Sequence, residues 1–319
     1  MASKSVLAVD LGGTKVAVAL VDRNGKLLRR LSASVDVSSS LAPVKQIAKL
    51  AKDLVAGKGL QGQVASAGVA VPGLVRRDGT VWAPNLPGWK RMALARRLKS
   101  ALGIRVTVES DRNAAVLGEA WRGAARGKSD VIVLMLGTGI GAGILSGGRL
   151  VRGAHELSGC AGWMVVTDRD DAETERVGQL ESLAAGPAIA RAAKKEMAQG
   201  ISSLLQEIPA ETINAYEVAE AARRGDIVSI EVYLEAGRLL GYCAANLVSL
   251  FDPEIVVIGG GLAQAGDLFL AALRKGVKER AQPIAAQHVR VVRTRLGGDA
   301  NLLGVARLAW DLTRESPNS

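Results

Sequence analysis

Asp10-Leu11-Gly12-Gly13-Thr14-Lys15 decides the fold, together with the apolar run SVLAVD (residues 5–10) that leads into it. A short buried-type strand ends in a carboxylate, and two glycines follow at once. KVAVALV (residues 15–21) and residues 26–32 read as two further strands, with residues 22–25 as the turn between them. Strand, glycine turn, strand, turn, strand is an antiparallel meander. Lacking Cβ atoms, Gly12 and Gly13 let the backbone approach phosphate oxygens, and consecutive N–H groups there form an anion-binding concavity. Thr14 offers a hydroxyl donor, Lys15 a compensating charge, and Asp10 is placed to hold Mg2+, directly or through water. Taken alone, an ordinary Gly-Gly hairpin is an equal reading. The stretch is neither GxxxxGK[ST] nor GxGxxG ahead of a helix.

The theme returns in the second half. VIVLML (residues 131–136) is an apolar strand, Gly137 to Gly141 a glycine turn, and residues 142–145 start another strand. Gly137, Thr138 and Gly139 make a second phosphate-type turn. A third glycine surface, Gly259-Gly260-Gly261, follows the strand at 255–258, precedes a helix from about Gln264, and is flat enough to cover an adenine or ribose. Helices are expected over 41–56, 111–122, 187–197, 215–223, 227–250 and 300–312, and strands over 67–71, 105–109 and 289–293. Residues 124–129 and 199–214 read as connectors. Two halves with the same start suggest two α/β domains facing a central cleft, about 1–120 and 121–299, with helix 300–312 returning to the first. Ligands in such sheets sit beyond the carboxyl ends of the strands.

In order, DLGGTK (10–15), GVAVPG (68–73), NLPGW (85–89), ESDRNAA (109–115), LGTGIGAG (136–143), LESLAAGPAIA (180–190), FDP (251–253) and IGGG (258–261) resemble the ROK family over nearly the whole chain. That family holds bacterial glucokinases, other hexose and acylhexosamine kinases and sugar-responsive repressors. The resemblance implies the two-domain actin-like ATPase (sugar kinase) fold, ATP and Mg2+ as cofactors, and a homodimer. It places the catalytic base on Asp111, which by position alone would be a helix N-cap. It places acceptor contacts at Asn85, at the Pro72-Gly73 turn and at Glu181.

The chain departs from the family pattern where the sugar is held. The stretch G-E-[IL]-G-H is here Gly159-Cys160-Ala161-Gly162-Trp163, so Cys160 and Trp163 replace a Glu and a His. Ser110 replaces the Asn before the catalytic Asp. Zinc is not expected, because the resemblance puts its ligand positions on Trp163, Ala172, Thr174 and Gln179, which are not zinc ligands. The acceptor is then a hexose or related polyol, with a deoxysugar, cyclitol or modified sugar alternative to glucose. His155 and Glu156 are candidates for replacement contacts.

Composition excludes other classes. Hydrophobic residues make up 48% and charged residues 23% of 319, a globular mixture. The net charge of +10 is spread as short pairs such as Arg29-Arg30 and Arg96-Arg97, without interleaved aromatics, which reads as a solvated surface rather than a nucleic-acid site. Cys160 and Cys243 are the only cysteines, too few for a disulfide framework. No apolar run is long enough to span a bilayer and Met1-Ala2-Ser3-Lys4 is no leader, so a cytoplasmic protein without a membrane partner is expected. The early first strand leaves no expected room for a repressor's DNA-binding domain. A catalytically weak or inactive sugar- or nucleotide-binding member of the family stays open beside the kinase reading.

Overall fold

The computed structural model describes residues 5–55 and 64–314. Met1 to Lys4, and Ala56 at the expected end of the first helix, lie outside the described residues.

The chain forms two compact units. The first takes in the described residues up to Gly127, Val151–Ser158, and those from Arg295 on; the second is Lys128–Leu150 with Gly159–Thr294. In the first unit β1 (Ser5–Leu11), β2 (Lys15–Val21) and β3 (Leu27–Ser34) make the meander, and β4 (Val64–Val71) and β7 (Arg105–Ser110) extend it in parallel, in the order β3-β2-β1-β4-β7. Central β1 is apolar on both faces because both are covered. Leu7, Val9 and Leu11 pack toward α1 (Ala42–Leu54) and α2 (Leu94–Leu102). Val6 and Ala8 face the opposite core, built with Ala114 of α3 (Asp111–Arg122) and with Leu302, Val305 and Trp310 of α11 (Ala300–Leu312). That face is lined by alanines, Ala8, Ala17, Ala19 and Ala70, which let a helix come close. A small hairpin, β5 (Leu74–Val75) with β6 (Val81–Trp82), stands beside the sheet.

The second unit repeats the plan. β8 (Val131–Leu136) pairs antiparallel with β9 (Ile140–Ser146), which carries β10 (Arg149–Leu150). On its other side β8 pairs in parallel with β11 (Ile255–Gly259), and β11 with β12 (Arg290–Arg293). The turn after β8 is two residues shorter than the glycines suggest, since Ile140 and Gly141 already belong to β9 and pair with Leu136 and Met135.

Helices supply the rest of this unit: α4 (Thr174–Val177), α5 (Gln179–Ala184), α6 (Gly186–Ala198), α7 (Ala215–Arg223), α8 (Ile227–Phe251), α9 (Gly266–Arg280) and α10 (Pro283–His288). The long α8 starts at Asp226, whose side chain accepts from Ser229 N, and stops at Asp252, in the left-handed region at φ 44° ahead of Pro253. Among the described residues no helix is long and apolar enough to cross a membrane.

The two units divide the chain differently from the expected boundary at residue 120: residues 121–127, 151–158 and 295–299, expected from sequence in the second domain, group with the first unit. Side chains of β7 and α3 hold 151–158 by ion pair and hydrogen bond, and Asp299 pairs with Arg30 of β3.

Candidate active site

The residues singled out by the sequence fall into two groups, one in each unit. In the first unit β1 ends at Asp10 and Leu11, and the turn to β2 is closed by Gly12 N donating to Lys15 O at 2.8 Å. Gly13, Thr14 and Lys15 are exposed at this turn, and the Asn85 side chain comes within 3.9 Å of where a Gly13 Cβ would stand. Gly73, at φ 93°, turns the chain out of β4, with Trp82 O filling the space of its missing Cβ. Asn85 thus sits by the phosphate-type turn, and Pro72 and Gly73 at the carboxyl end of β4.

Asp10 is half-buried and its carboxyl is pushed up to about 6, first by burial; the Asn301 hydrogen bond and the charge of Arg30 pull it down, while Asp111 and Asp299 push it up. Arg30 is itself paired to Asp299. Asn301 was not legible as a site residue, because it lies on α11 at the far end of the sequence. Asp111 opens α3 at the end of β7. Burial raises its carboxyl above the usual aspartate range, against the N–H of Arg112, which donates to Oδ1 at 2.8 Å. The Arg112 guanidinium turns away to the carbonyls of Ser158 (3.0 Å) and Glu156 (3.2 Å). Among the described residues Asp111 forms no ion pair. The charge of Arg112 also lowers it, but a carboxylate raised by burial and left without an ion pair is the kind of group that takes a proton. Ser110 precedes it as an extended N-cap, with no side-chain cap bond.

In the second unit Glu181, on α5, ties three stretches together. Its Oε2 accepts Ile140 N at 2.7 Å, beside the glycine turn, and burial raises its carboxyl. A Cβ at Gly139 would come within 2.8 Å of that oxygen, and one at Gly162 within 2.9 Å, so a side chain at either place would displace the Glu181 carboxylate. Gly139 therefore belongs to the Glu181 side of the turn, together with the 160–163 stretch. Cys160 is half-buried there, and Trp163 is 57% exposed.

Gly137 and Thr138 instead line a pocket of about 820 Å3 with Gly261, Lys194, Asn214 and Tyr233. A Cβ at Gly137 or Gly261 would meet nothing within 4 Å, so both backbones face open space. The triple-glycine surface shrinks accordingly. Gly259 is buried in β11 against Met135, Gly260 stacks on Leu136 O, and Gly261 alone of the three lines the pocket. Its size and concavity suit a nucleoside.

Glu156 Oε1 accepts from Arg77 Nε at 2.8 Å, and His155 is exposed. Of the four positions aligned with zinc ligands, Gln179 is buried and bonds backbone instead. Its Oε1 accepts Val166 N (2.8 Å) and Thr167 N (3.2 Å), and its Nε2 donates to Thr167 O and to Asp170 Oδ1, both at 3.1 Å. Thr174 Oγ1 meets Ser182 Oγ at 3.0 Å, while Ala172 and Trp163 are exposed. Among the described residues no three His, Cys, Asp or Glu side chains gather to hold a metal. A cation at Asp10 would complete its shell with water and phosphate oxygens, as Mg2+ commonly does.

A glucokinase of Thermotoga maritima is 32% identical, covering 97% of this chain and 98% of its own. The crystal structure of a ROK family glucokinase from Streptomyces griseus in complex with glucose and AMPPNP superposes with a TM-score of 0.80 at 32% identity, over 96% of this chain and 99% of that one. A ROK family transcriptional regulator, a homologue of the E. coli MLC protein, superposes at 0.87 with 25% identity, over 98% of this chain and 79% of that one. The ROK family model matches residues 6–311, and the neighbouring sugar kinases share the actin-like ATPase fold: this chain is a member of the ROK family.

Proposed function

We propose that the chain is an ATP-dependent carbohydrate kinase that transfers the γ-phosphate to a hydroxyl of a hexose or related polyol. The observation that carries this reading is Asp111, a carboxylate raised by burial and free of any ion pair among the described residues, at the strand-to-helix junction that ends β7. In its ionised form it accepts the acceptor hydroxyl's proton as that oxygen attacks phosphorus, a contribution of about 10²–10⁴-fold in rate. The Gly12-Gly13-Thr14 turn offers N–H and hydroxyl donors to phosphate, and the pocket at Gly137, Thr138 and Gly261 takes the nucleoside. Asp10 would hold Mg2+ through its hydration shell, and the ion would supply charge neutralisation for the phosphates. Glu181, Asn85 and the Pro72-Gly73 turn are the acceptor contacts, and Cys160 and Trp163 give an apolar wall.

A second reading is a sugar- or nucleotide-binding protein with little turnover, favoured by the replacement of two polar contacts by Cys160 and Trp163 and by the 0.87 superposition on a regulator. Steady-state ATP turnover against hexoses, N-acetylhexosamines, deoxysugars and cyclitols, with the product read by phosphorus NMR, separates the two. The kinase reading expects one acceptor with turnover well above water. It also expects Asp111→Asn to lower kcat about 10²-fold or more with little change in KM for ATP. Because burial raises Asp111, the acid limb of kcat should lie above the ordinary aspartate range. ATP binding without phosphorylation of any acceptor would leave the second reading standing.

A further inference from the structure

The catalytic junction is held from outside its own helix. Glu109, the residue before Ser110 on β7, is 2% exposed, and both of its carboxylate oxygens are engaged. Oε1 accepts Ser110 N at 2.8 Å and Asn113 Nδ2 at 3.0 Å, and the other oxygen pairs with Arg152 Nη1 at 2.5 Å. Ser110 is the N-cap of α3 and makes no side-chain cap of its own, so Glu109 staples that position to the first helical turn. Asp111 lies between the two stapled residues. Arg152 belongs to Val151–Ser158, and the same segment accepts the Arg112 guanidinium on the carbonyls of Ser158 and Glu156. It is closed on itself by Ser158 N donating to Arg152 O at 3.1 Å, and Glu156 within it is held at φ 59°, an uncommon conformation for a side chain larger than Gly or Asn. One arginine thus enters the junction from the segment and another leaves the junction for it, on either side of Asp111.

We infer that Arg152, acting through Glu109, is a positioning residue for the Asp111 carboxylate, and that Val151–Ser158 is the strap that carries it. The inference rests on the proposed role of Asp111. Glu109 is buried, so losing its cation leaves an unpaired charge at the turn, which the turn relieves by moving. A displacement of about 1 Å at a reacting group costs on the order of 10²-fold in rate.

The test uses the full chain with Arg152→Met and Arg152→Lys. Turnover and amide hydrogen exchange of residues 109–114 are measured on the same preparations. Arg152→Met should lower kcat about 10- to 100-fold with KM for ATP within about twofold, and should speed exchange across 109–114 while β1 and β4 exchange as in the parent. Arg152→Lys restores the charge, and should recover most of both. Exchange that rises evenly through the first unit, or a loss of kcat that lysine does not recover, would make Arg152 a stability residue and overturn the inference. Unchanged kcat and unchanged exchange in Arg152→Met would overturn it as well. If the parent phosphorylates no acceptor yet exchange at 109–114 responds as described, the kinase reading fails while the hold on the junction stands.

Discussion

The side-chain amide of Asn301 donates to Oδ1 of Asp10 over 3.1 Å, tying the first turn of α11 to the end of β1 across almost the whole chain. The other end of that amide, Asn301 Oδ1, is buried with no partner. Asp10 is therefore held by one neutral donor, with no cation of its own, in a place dry enough to push its carboxyl up to about 6. Both features suit a site that is completed by something hydrated and positive.

Such a carboxylate burdens the empty protein. Its folded-state pKa lies above the 3.8 of an ordinary aspartate, so the folded chain holds the proton more tightly than the unfolded one. Stability from this group is therefore greatest below about pH 4 and falls as pH rises toward about 6, by an upper figure on the order of 3 kcal/mol. Asp10→Asn keeps a partner for Asn301 and removes the charge. Without nucleotide, it should be more stable than the parent at pH 8 by about 1–3 kcal/mol, with the difference vanishing near pH 4, while Mg2+-nucleotide affinity drops. Urea unfolding at both pH values, with nucleotide titrations beside it, reads this directly. An Asp10→Asn protein less stable than the parent at pH 8 would show that the carboxylate is satisfied in the fold.

The first unit also makes a demand on its helix packing. α11 lies so close to α3 that a Cβ on Gly304 would come within 1.8 Å of Ala114 O, and one on Gly118 within 2.1 Å of Ala300 O. Gly304→Ala therefore sets two effects against each other. Helix propensity favours alanine by about 1 kcal/mol, whereas parting two packed helices costs about 1–3 kcal/mol or more. Steric cost should win, since the clash is with backbone, giving a net loss of up to about 2 kcal/mol and a lower Tm by thermal unfolding. A higher Tm would mean that α11 can shift freely.

Legibility followed the physics of each element. β1, β2, β8 and β11 are apolar runs, each with a glycine turn at one end, and that pattern marks them as strands. β5 and β6 have two residues each, too few for any periodicity to register. α2 carries a signal, Leu94, Leu98 and Leu102 at intervals of four, all buried, but one diluted by Arg96, Arg97 and Lys99 between them. The site was legible as motifs and not as directions. Nothing in the letters GGG says that Gly259 is buried, that Gly260 covers a carbonyl and that Gly261 faces the pocket, because those depend on strands from elsewhere in the chain. The return of residues 151–158 to the first unit rests on Arg152 and Arg112, long-range partners that local pattern does not reveal.

Gln179 stands where the family resemblance puts a zinc thiolate, and its amide already bonds Val166 N, Thr167 N, Thr167 O and Asp170. A buried amide with four bonds holds a loop without metal. Purified, chelator-free protein should therefore contain well under one zinc per chain by elemental analysis. Gln179→Ala leaves two backbone N–H groups and a carbonyl of the loop unpaired, so a loss of about 1–3 kcal/mol in stability is expected, with no rescue by added zinc. One tightly held zinc per chain, or rescue by the metal, would show the segment to be a metal site.

Acceptor choice is set, in this reading, at the wall that Cys160 and Trp163 form beside Glu181. Glu181 Oε2 is spent on Ile140 N, which leaves one oxygen for an acceptor hydroxyl. Cys160 is a weak donor and acceptor, and the Trp163 indole N–H can only donate. Hydroxyls of glucose placed against them lose partners or need intervening water, and sites built for hydrogen bonds discriminate strongly against such mismatches. Glucose should thus be a poor acceptor, and a better one should bring fewer hydroxyls or an apolar substituent to that wall. The double change Cys160→Glu with Trp163→His restores two polar groups and should raise kcat/KM for glucose at least about tenfold, a gain of about 1.4 kcal/mol in transition-state binding. Trp163 is 57% exposed, so its replacement should cost little stability, and a fall in activity could not be blamed on unfolding. A parent enzyme that already handles glucose with kcat/KM of about 10⁴ M⁻¹s⁻¹ or above, an ordinary enzyme value, would mean that other side chains supply the missing bonds and that Cys160 and Trp163 do not select the acceptor.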